Sequence, residues 1–256
     1  MDQAELVREQ FNKQAQAYEK LTVVTERKLL DHIVSISGAR AGDRVIDFAC
    51  GPGFVGMAFA EKGALVTGVD VTDRFLEHAN AEAKRRQLAN ISFRAGNVEA
   101  LAIAPDTFDL AVCRFAFHHF GNPVKALCEM KRVTRPGGRI VIVDMIGSEN
   151  QQFADYHNRV ERLCDPSHAR AIPASEFERM FAENRLVVLS RFQRETSYGL
   201  SEWMAHGGPS RENRAAIVAM MEASIDRDRC GLKVRRENGE IRFSHQGMSY
   251  VLQESA

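Results

Sequence analysis

Asp47, Gly51, Gly53 and Asp70 are the residues whose types and spacing point most directly to chemistry. They belong to the run Val45-Ile46-Asp47-Phe48-Ala49-Cys50-Gly51-Pro52-Gly53 and to Gly68-Val69-Asp70. Gly51 and Gly53 lack a Cβ, so the backbone there can turn sharply and admit a ligand close to its amide groups. Asp70 stands 17 positions after Gly53. From there a carboxylate can accept bidentate hydrogen bonds from two ribose hydroxyls. A ribose-bearing ligand is expected.

Two such ligands fit the glycines. Gly51-x-Gly53-x-x-Gly56 satisfies the dinucleotide fingerprint, but Asp47 stands four residues before Gly51 and would repel a pyrophosphate. A carboxylate there suits a ligand that carries an ammonium and a sulfonium, the charge pattern of S-adenosylmethionine. Arg114 ends a predicted strand, where it can meet a ligand carboxylate. For proton transfer the candidates are His119 and Asp144. His118 and His119 are adjacent, and neighbouring side chains on a helix diverge by about 100°, so they are not expected to chelate one ion. Cys50, Cys113, Cys128, Cys164 and Cys230 are scattered without zinc spacing and read as reduced, cytosolic thiols. No metal is expected, and Cys50 reads as a small packing residue.

The elements that must position these residues follow from hydrophobic period. Strands are predicted at about 44–49, 65–70, 91–95, 108–114 and 139–144, each a short apolar run bounded by Gly, Asp or Pro. Helices fill the intervals, with Thr72 as an N-cap, and Pro136-Gly137-Gly138 ends the helix that begins near Pro123. This alternation predicts an α/β fold, a Rossmann-like doubly wound sheet with right-handed crossovers, helices on both faces and ligand at the carboxyl ends of the strands. Two helices precede it, interrupted at Thr22-Val23-Val24-Thr25. After the fifth strand, residues 147–184 and 200–229 read as lid insertions. Ser175-x-x-Glu178 is a capping box, a strand lies at about 186–196, and Asn238-Gly239 is a type I′ hairpin turn. The whole chain, 1–256, reads as one domain, with N-terminal helices over 1–40.

Lys plus Arg and Asp plus Glu number 34 each, so no net field draws nucleic acid or an anionic membrane. No apolar run reaches the roughly 18–20 residues that span a bilayer. The polar start Met1-Asp2-Gln3-Ala4-Glu5 predicts no secretory signal. A cytoplasmic protein with a small-molecule substrate is the expectation, as a monomer or homodimer.

The Asp47-to-Gly53 run resembles motif I of class I S-adenosylmethionine-dependent methyltransferases, with Ala49 where that family usually has glycine. The similarity continues in family order through Gly96-Asn97-Val98-Glu99-Ala100-Leu101, Phe108-Asp109-Leu110-Ala111-Val112-Cys113-Arg114, His118-His119-Phe120 and Arg135-Pro136-Gly137-Gly138-Arg139-Ile140. Together with Asp165-Pro166-Ser167-His168-Ala169-Arg170, these runs resemble the UbiE/type 11 branch and its YcgJ-like subgroup. The resemblance covers roughly residues 11 to 253.

It implies a seven-stranded, mostly parallel sheet whose last strand, 247–253, is antiparallel. It also implies cofactor contacts at Ala49, Gly51, Gly53, Asp70 and Val71, and at Asp47 near the methionine amino group. Asn97 and Val98 would meet the adenine. Phe11 and Tyr18 match a Phe-x-x-x-Ala-x-x-Tyr pattern that closes over the donor's methionine end, although at helical spacing they serve equally as core. The implied activity is methyl transfer to a small metabolite at an O, N or C nucleophile. Tyr156, Asn158, Arg159, Arg162 and His168 could shape the acceptor pocket. A nicotinamide-dependent oxidoreductase is disfavoured by Asp47 and by the lack of Tyr-x-x-x-Lys. A cofactor-binding regulator without transfer activity stays open.

Overall fold

The computed structural model describes residues 2–18 and 26–255, without the side chains of residues 16–18. Thr22-Val23-Val24-Thr25 lies outside the described residues. Helices α1 (Gln3–Tyr18) and α2 (Arg27–Ser37) precede the alternating region. There β1 (Arg44–Phe48), α3 (Phe54–Ala60), β2 (Leu65–Asp70), α4 (Asp73–Arg85), β3 (Ile91–Ala95), β4 (Phe108–Arg114), α5 (Pro123–Val133) and β5 (Thr134–Gly147) follow one another. The C-terminal part holds α6 (Gln151–Cys164), β6 (Ile172–Pro173), α7 (Ala174–Glu183), β7 (Leu186–Gly199), α8 (Leu200–Gly207), α9 (Arg211–Glu222), β8 (Arg235–Glu237) and β9 (Glu240–Glu254).

The strands run in the order β3-β2-β1-β4-β5-β9-β7, and β6 and β8 add short pairings to β5 and β9. β9 is antiparallel to both its neighbours, β5 and β7. Side-chain alternation along the central strands explains the helical layers. Ile46, Phe48, Ala111, Cys113, Ile140 and Ile142 face a core closed by Leu127 and Met130 of α5 and Phe177 and Phe181 of α7. Val45, Leu110, Val112, Val141 and Val143 face the opposite core, against Leu30 and Ile33 of α2 and Val55 and Phe59 of α3. A period of two buried on both faces is what a strand covered by helices requires. Asp47 shares its parity with Val45, so its carboxylate points toward α3.

Several expectations change. The final strand and the second arm of the Asn238-Gly239 hairpin are one element, β9, which runs from Glu240 instead of starting near 247. Asn238 and Gly239 have φ of 51° and 81°, as a type I′ turn requires. The Pro136-Gly137-Gly138 segment does not cap a helix. α5 ends at Val133, and these residues form the bulge where β5 shifts register against β4. The Ser175 capping box is absent. Ser175 lies inside the first turn of α7, and its N–H and hydroxyl both donate to the Glu149 carboxylate, a charged acceptor stronger than the local one. The two lid segments join into one lobe. Val160 and Cys164 of α6, Trp203 of α8, Ile217 and Met221 of α9 and Phe243 of β9 share a third apolar core.

Candidate active site

Strands β1, β2 and β4 end beside one another, and a cleft of about 850 Å³ opens over their carboxyl ends. Its wall includes Phe11, Asp47, Ala49, Gly51, Asp70, Val71, Asn97, Val98, Arg114 and His119. These residues, selected by sequence from five separate segments, converge on one space.

The turn after β1 takes its shape from three left-handed residues, Ala49 (φ 50°), Gly51 (φ 51°) and Gly53 (φ 81°). Alanine is strained there where glycine is not, which accounts for the family's preference at position 49. Gly53 is not on the cleft wall. A Cβ there would stand 2.6 Å from the Phe93 ring, so this glycine lets α3 pack against β3.

Asp70 Oδ2 accepts the Gly51 N–H at 2.8 Å and Oδ1 accepts the Thr72 N–H at 2.8 Å. Burial raises its pKa above the ordinary carboxylate value, and these hydrogen bonds oppose the rise. Asp47 Oδ2 accepts the Gly56 N–H at 2.9 Å. Burial pushes its pKa up to about 7 despite that bond and the Arg114 charge. Cys50 also lines the cleft, and burial followed by the fields of Asp70 and Asp47 lifts its thiol well above the usual range. It is no nucleophile at neutral pH. Asn97 Oδ1 is engaged by the Glu99 N–H at 2.9 Å.

Helix α1 roofs the cleft. Gln3 Nε2 donates to the carbonyls of His119 at 3.0 Å and Ser167 at 2.7 Å. The Phe11 ring packs 5.6 Å from Phe75 and meets His119 edge-on at 5.0 Å. Tyr18 closes α1, but its side chain lies outside the described residues.

His118 and His119 sit on a single turn of 3-10 helix, Phe117–His119, and their ring centroids are 4.2 Å apart instead of diverging. His118 Nδ1 is 2.6 Å from Asp144 Oδ1. Burial lowers its pKa, but the Asp144 charge and hydrogen bond outweigh that and raise it. Asp144 does not face the cleft. β5 continues past it to Gly147, and its oxygens accept the N–H groups of Phe117 and Met145 besides meeting His118. It anchors the histidine turn. His119 is pushed down to about 4 by burial and then by the His118 charge. Its Nδ1 lies 3.1 Å from the Ser167 carbonyl, which only accepts, so Nδ1 carries the proton and Nε2 the lone pair.

A second cavity, about 1020 Å³, meets the first at Phe11, Phe115 and His119. Met145, Tyr198, Trp203 and Met248 give it an apolar wall, and His118, His168, His206 and His245 stud it. Of the lid residues expected here, His168 lines it, bonded to Asn158 Oδ1 at 2.8 Å. Tyr156 instead donates to the Met220 carbonyl. Sequence reasoning missed Glu161 and His245, which also line this cavity. The available signal was the i, i+4 spacing of His157 and Glu161 on one helical face. His245 comes from a strand distant in sequence.

Residues 39–185 match the family model described as a methyltransferase domain. The chain is 31% identical over 219 residues to the uncharacterised methyltransferase YcgJ of Bacillus subtilis (strain 168), covering 86% of this chain and 87% of that one. The chain belongs to the class I methyltransferase family. The crystal structure of YcgJ from Bacillus subtilis superposes on this methyltransferase with a TM-score of 0.80 at 27% identity, over 89% of this chain and 98% of that one. The ubiquinone/menaquinone biosynthesis C-methyltransferase UbiE of Bdellovibrio bacteriovorus is 38% identical over 147 residues, 55% of this methyltransferase and 62% of that protein. None of the described helices is long and apolar enough to cross a membrane.

Proposed function

We propose that this methyltransferase uses S-adenosylmethionine, held in the first cleft, to methylate a small molecule held in the second. The observation that carries this reading is the junction of the two cavities at Phe11, Phe115 and His119. Donor and acceptor chambers must adjoin and open to each other if a methyl group is to pass, and these three residues mark where they adjoin.

The cleft residues fit the donor. Among the described lining residues, Asp47, Asp70 and Glu99 are acids and Arg114 the one arginine or lysine, a balance that opposes a pyrophosphate and favours a cationic ligand. Asp70 accepts the Gly51 and Thr72 N–H groups and is the acid on the wall that takes the ribose hydroxyls. Asp47 takes the donor's ammonium and Arg114 its carboxylate, Asn97 and Val98 meet the adenine, and Val71 and Ala49 close the sides. The donor supplies an electrophilic methyl group on a sulfonium.

The chain's contribution is alignment and exclusion of water, for which oriented proximity supplies up to about 10 kcal/mol. Phe11 and α1 cover the donor side, and α6 and α8 of the lobe wall the acceptor side. These two covers and the sheet act as one catalytic unit over 1–256. His119 Nε2 is the proton acceptor nearest the junction, but a group pushed down to about 4 is a weak base. The favoured acceptors are therefore nucleophiles that need little help from a base, such as amines, thiolates or stabilised carbanions. UbiE's name, a quinone-biosynthesis C-methyltransferase, and the apolar acceptor wall support a quinone-like skeleton carrying such a carbanion.

A transfer screen with radiolabelled methyl donor over phenols, quinols, amines and carbon acids tests this. Label should move to at least one class in wild type and not in Asp70→Ala. Saturable donor binding with no transfer to any class would leave a binding protein instead.

A further inference from the structure

We propose that His157, Glu161 and His245 form a binding site for one divalent transition-metal ion at the edge of the second cavity. Among the described residues this is the one grouping of three histidine, cysteine or acidic side chains whose ligand atoms all lie within 4.8 Å of one another.

The geometry follows from the fold. His157 and Glu161 are one helical turn apart on α6, so they share a face. β9 brings His245 to that face from the opposite wall. Glu161 Oε1 stands 3.2 Å from His157 Nε2 and 2.9 Å from His245 Nε2. Ligands bound at about 2.0–2.1 Å stand about 3.3 Å apart around a tetrahedral ion and about 2.9 Å apart around an octahedral one. The two Glu161 separations fall near these edges, and the two histidine nitrogens lie within 4.8 Å of each other.

His245 Nε2 is buried and stands close to the same carboxylate. All three side chains are more than nine-tenths buried, with exposures of 2%, 5% and 6%. A buried carboxylate without a cation is costly, and a divalent ion offsets that cost. Two imidazoles and one carboxylate suit zinc or ferrous iron, whereas magnesium and calcium prefer oxygen. Glu161 and His245 line the cavity, so the remaining coordination positions face it. Resting on the methyl-transfer reading, this would place a Lewis acid in the chamber where His119 is a weak base.

The test uses the tag-free full chain, stripped with chelator and titrated with Co²⁺ without methyl donor, so its outcome is independent of the transfer reading. One equivalent should bind with visible ligand-field bands, be displaced by Zn²⁺, and give hyperfine-shifted N–H resonances from two imidazoles. Glu161→Gln and His245→Ala should each weaken Co²⁺ binding at least about tenfold, and His168→Ala should leave it unchanged. The proposal is overturned by an absence of saturable bands, by bands that survive both ligand substitutions, or by equal loss in His168→Ala. Should a variant fail to fold, the unmodified protein still decides: no shifted imidazole resonance refutes the site.

Discussion

Asp70 and Gly51 are joined by a 2.8 Å hydrogen bond from the glycine N–H to carboxylate Oδ2, which ties the end of β2 to the turn that ends β1. The acid proposed to hold the donor's ribose thus also fixes the turn beside it. Asp70→Asn should weaken S-adenosylmethionine binding by about ten- to a hundredfold, because a charge-assisted hydrogen bond is worth about 1.5–3 kcal/mol. Titration calorimetry checks this, and an unchanged affinity would remove Asp70 from the donor site.

Asp47 supplies a pH signature. Its folded pKa of about 7 exceeds the unfolded carboxylate value, so between about pH 4 and 7 the folded state binds the extra proton and stability falls as pH rises. Donor binding should run the other way. An ammonium beside Asp47 favours the ionised acid, so affinity should tighten from pH 6 to 8 and binding at pH 6.5 should release protons. Calorimetry in buffers of different ionisation enthalpy measures that release, and Asp47→Asn should abolish it.

Ala49 holds φ at 50° in the donor turn. Ala49→Gly should relieve this strain and raise stability by up to about 1 kcal/mol, the gain being reduced by glycine's greater unfolded entropy. Chemical denaturation checks it, and a loss of stability would show that the alanine methyl matters more than the backbone.

Gln3 fastens the roof to the carbonyls of His119 and Ser167. Gln3→Ala should speed hydrogen exchange in α1 and raise the donor Kd about three- to tenfold, with little change in global Tm, because terminal elements open independently of the core. Unaltered exchange in α1 would mean that Phe11 packing alone closes the cleft.

The motif I turn was legible because local pattern and tertiary role coincide there: alternation sets β1, missing Cβ atoms set the turn, and Asp70 ends a strand. β9 was legible only in part: a hairpin at Asn238-Gly239 and a last strand at 247–253 are expected separately, yet Glu240–Glu254 is one strand that pairs with β7 and, from Gly247, with β5. Asp144 was placed correctly on its strand, but the nearby N–H groups that capture its oxygens come from a turn whose approach no periodicity announces. Gly53 shows the same limit. Its turn role is read from its type and spacing, and the position of Phe93 adds a packing role that the sequence does not announce. Glu161 and His245, 84 positions apart, meet only in three dimensions.

The central claim is that the β1 turn and the carboxylates of Asp47 and Asp70 hold an adenosyl donor. A crystal structure with S-adenosylhomocysteine tests it most directly. The ribose hydroxyls should lie on Asp70, with the amino group toward Asp47 and the sulfur facing the wall shared by Phe11 and His119. Density for the ligand elsewhere, or none beside that turn at saturating concentration, would contradict the account.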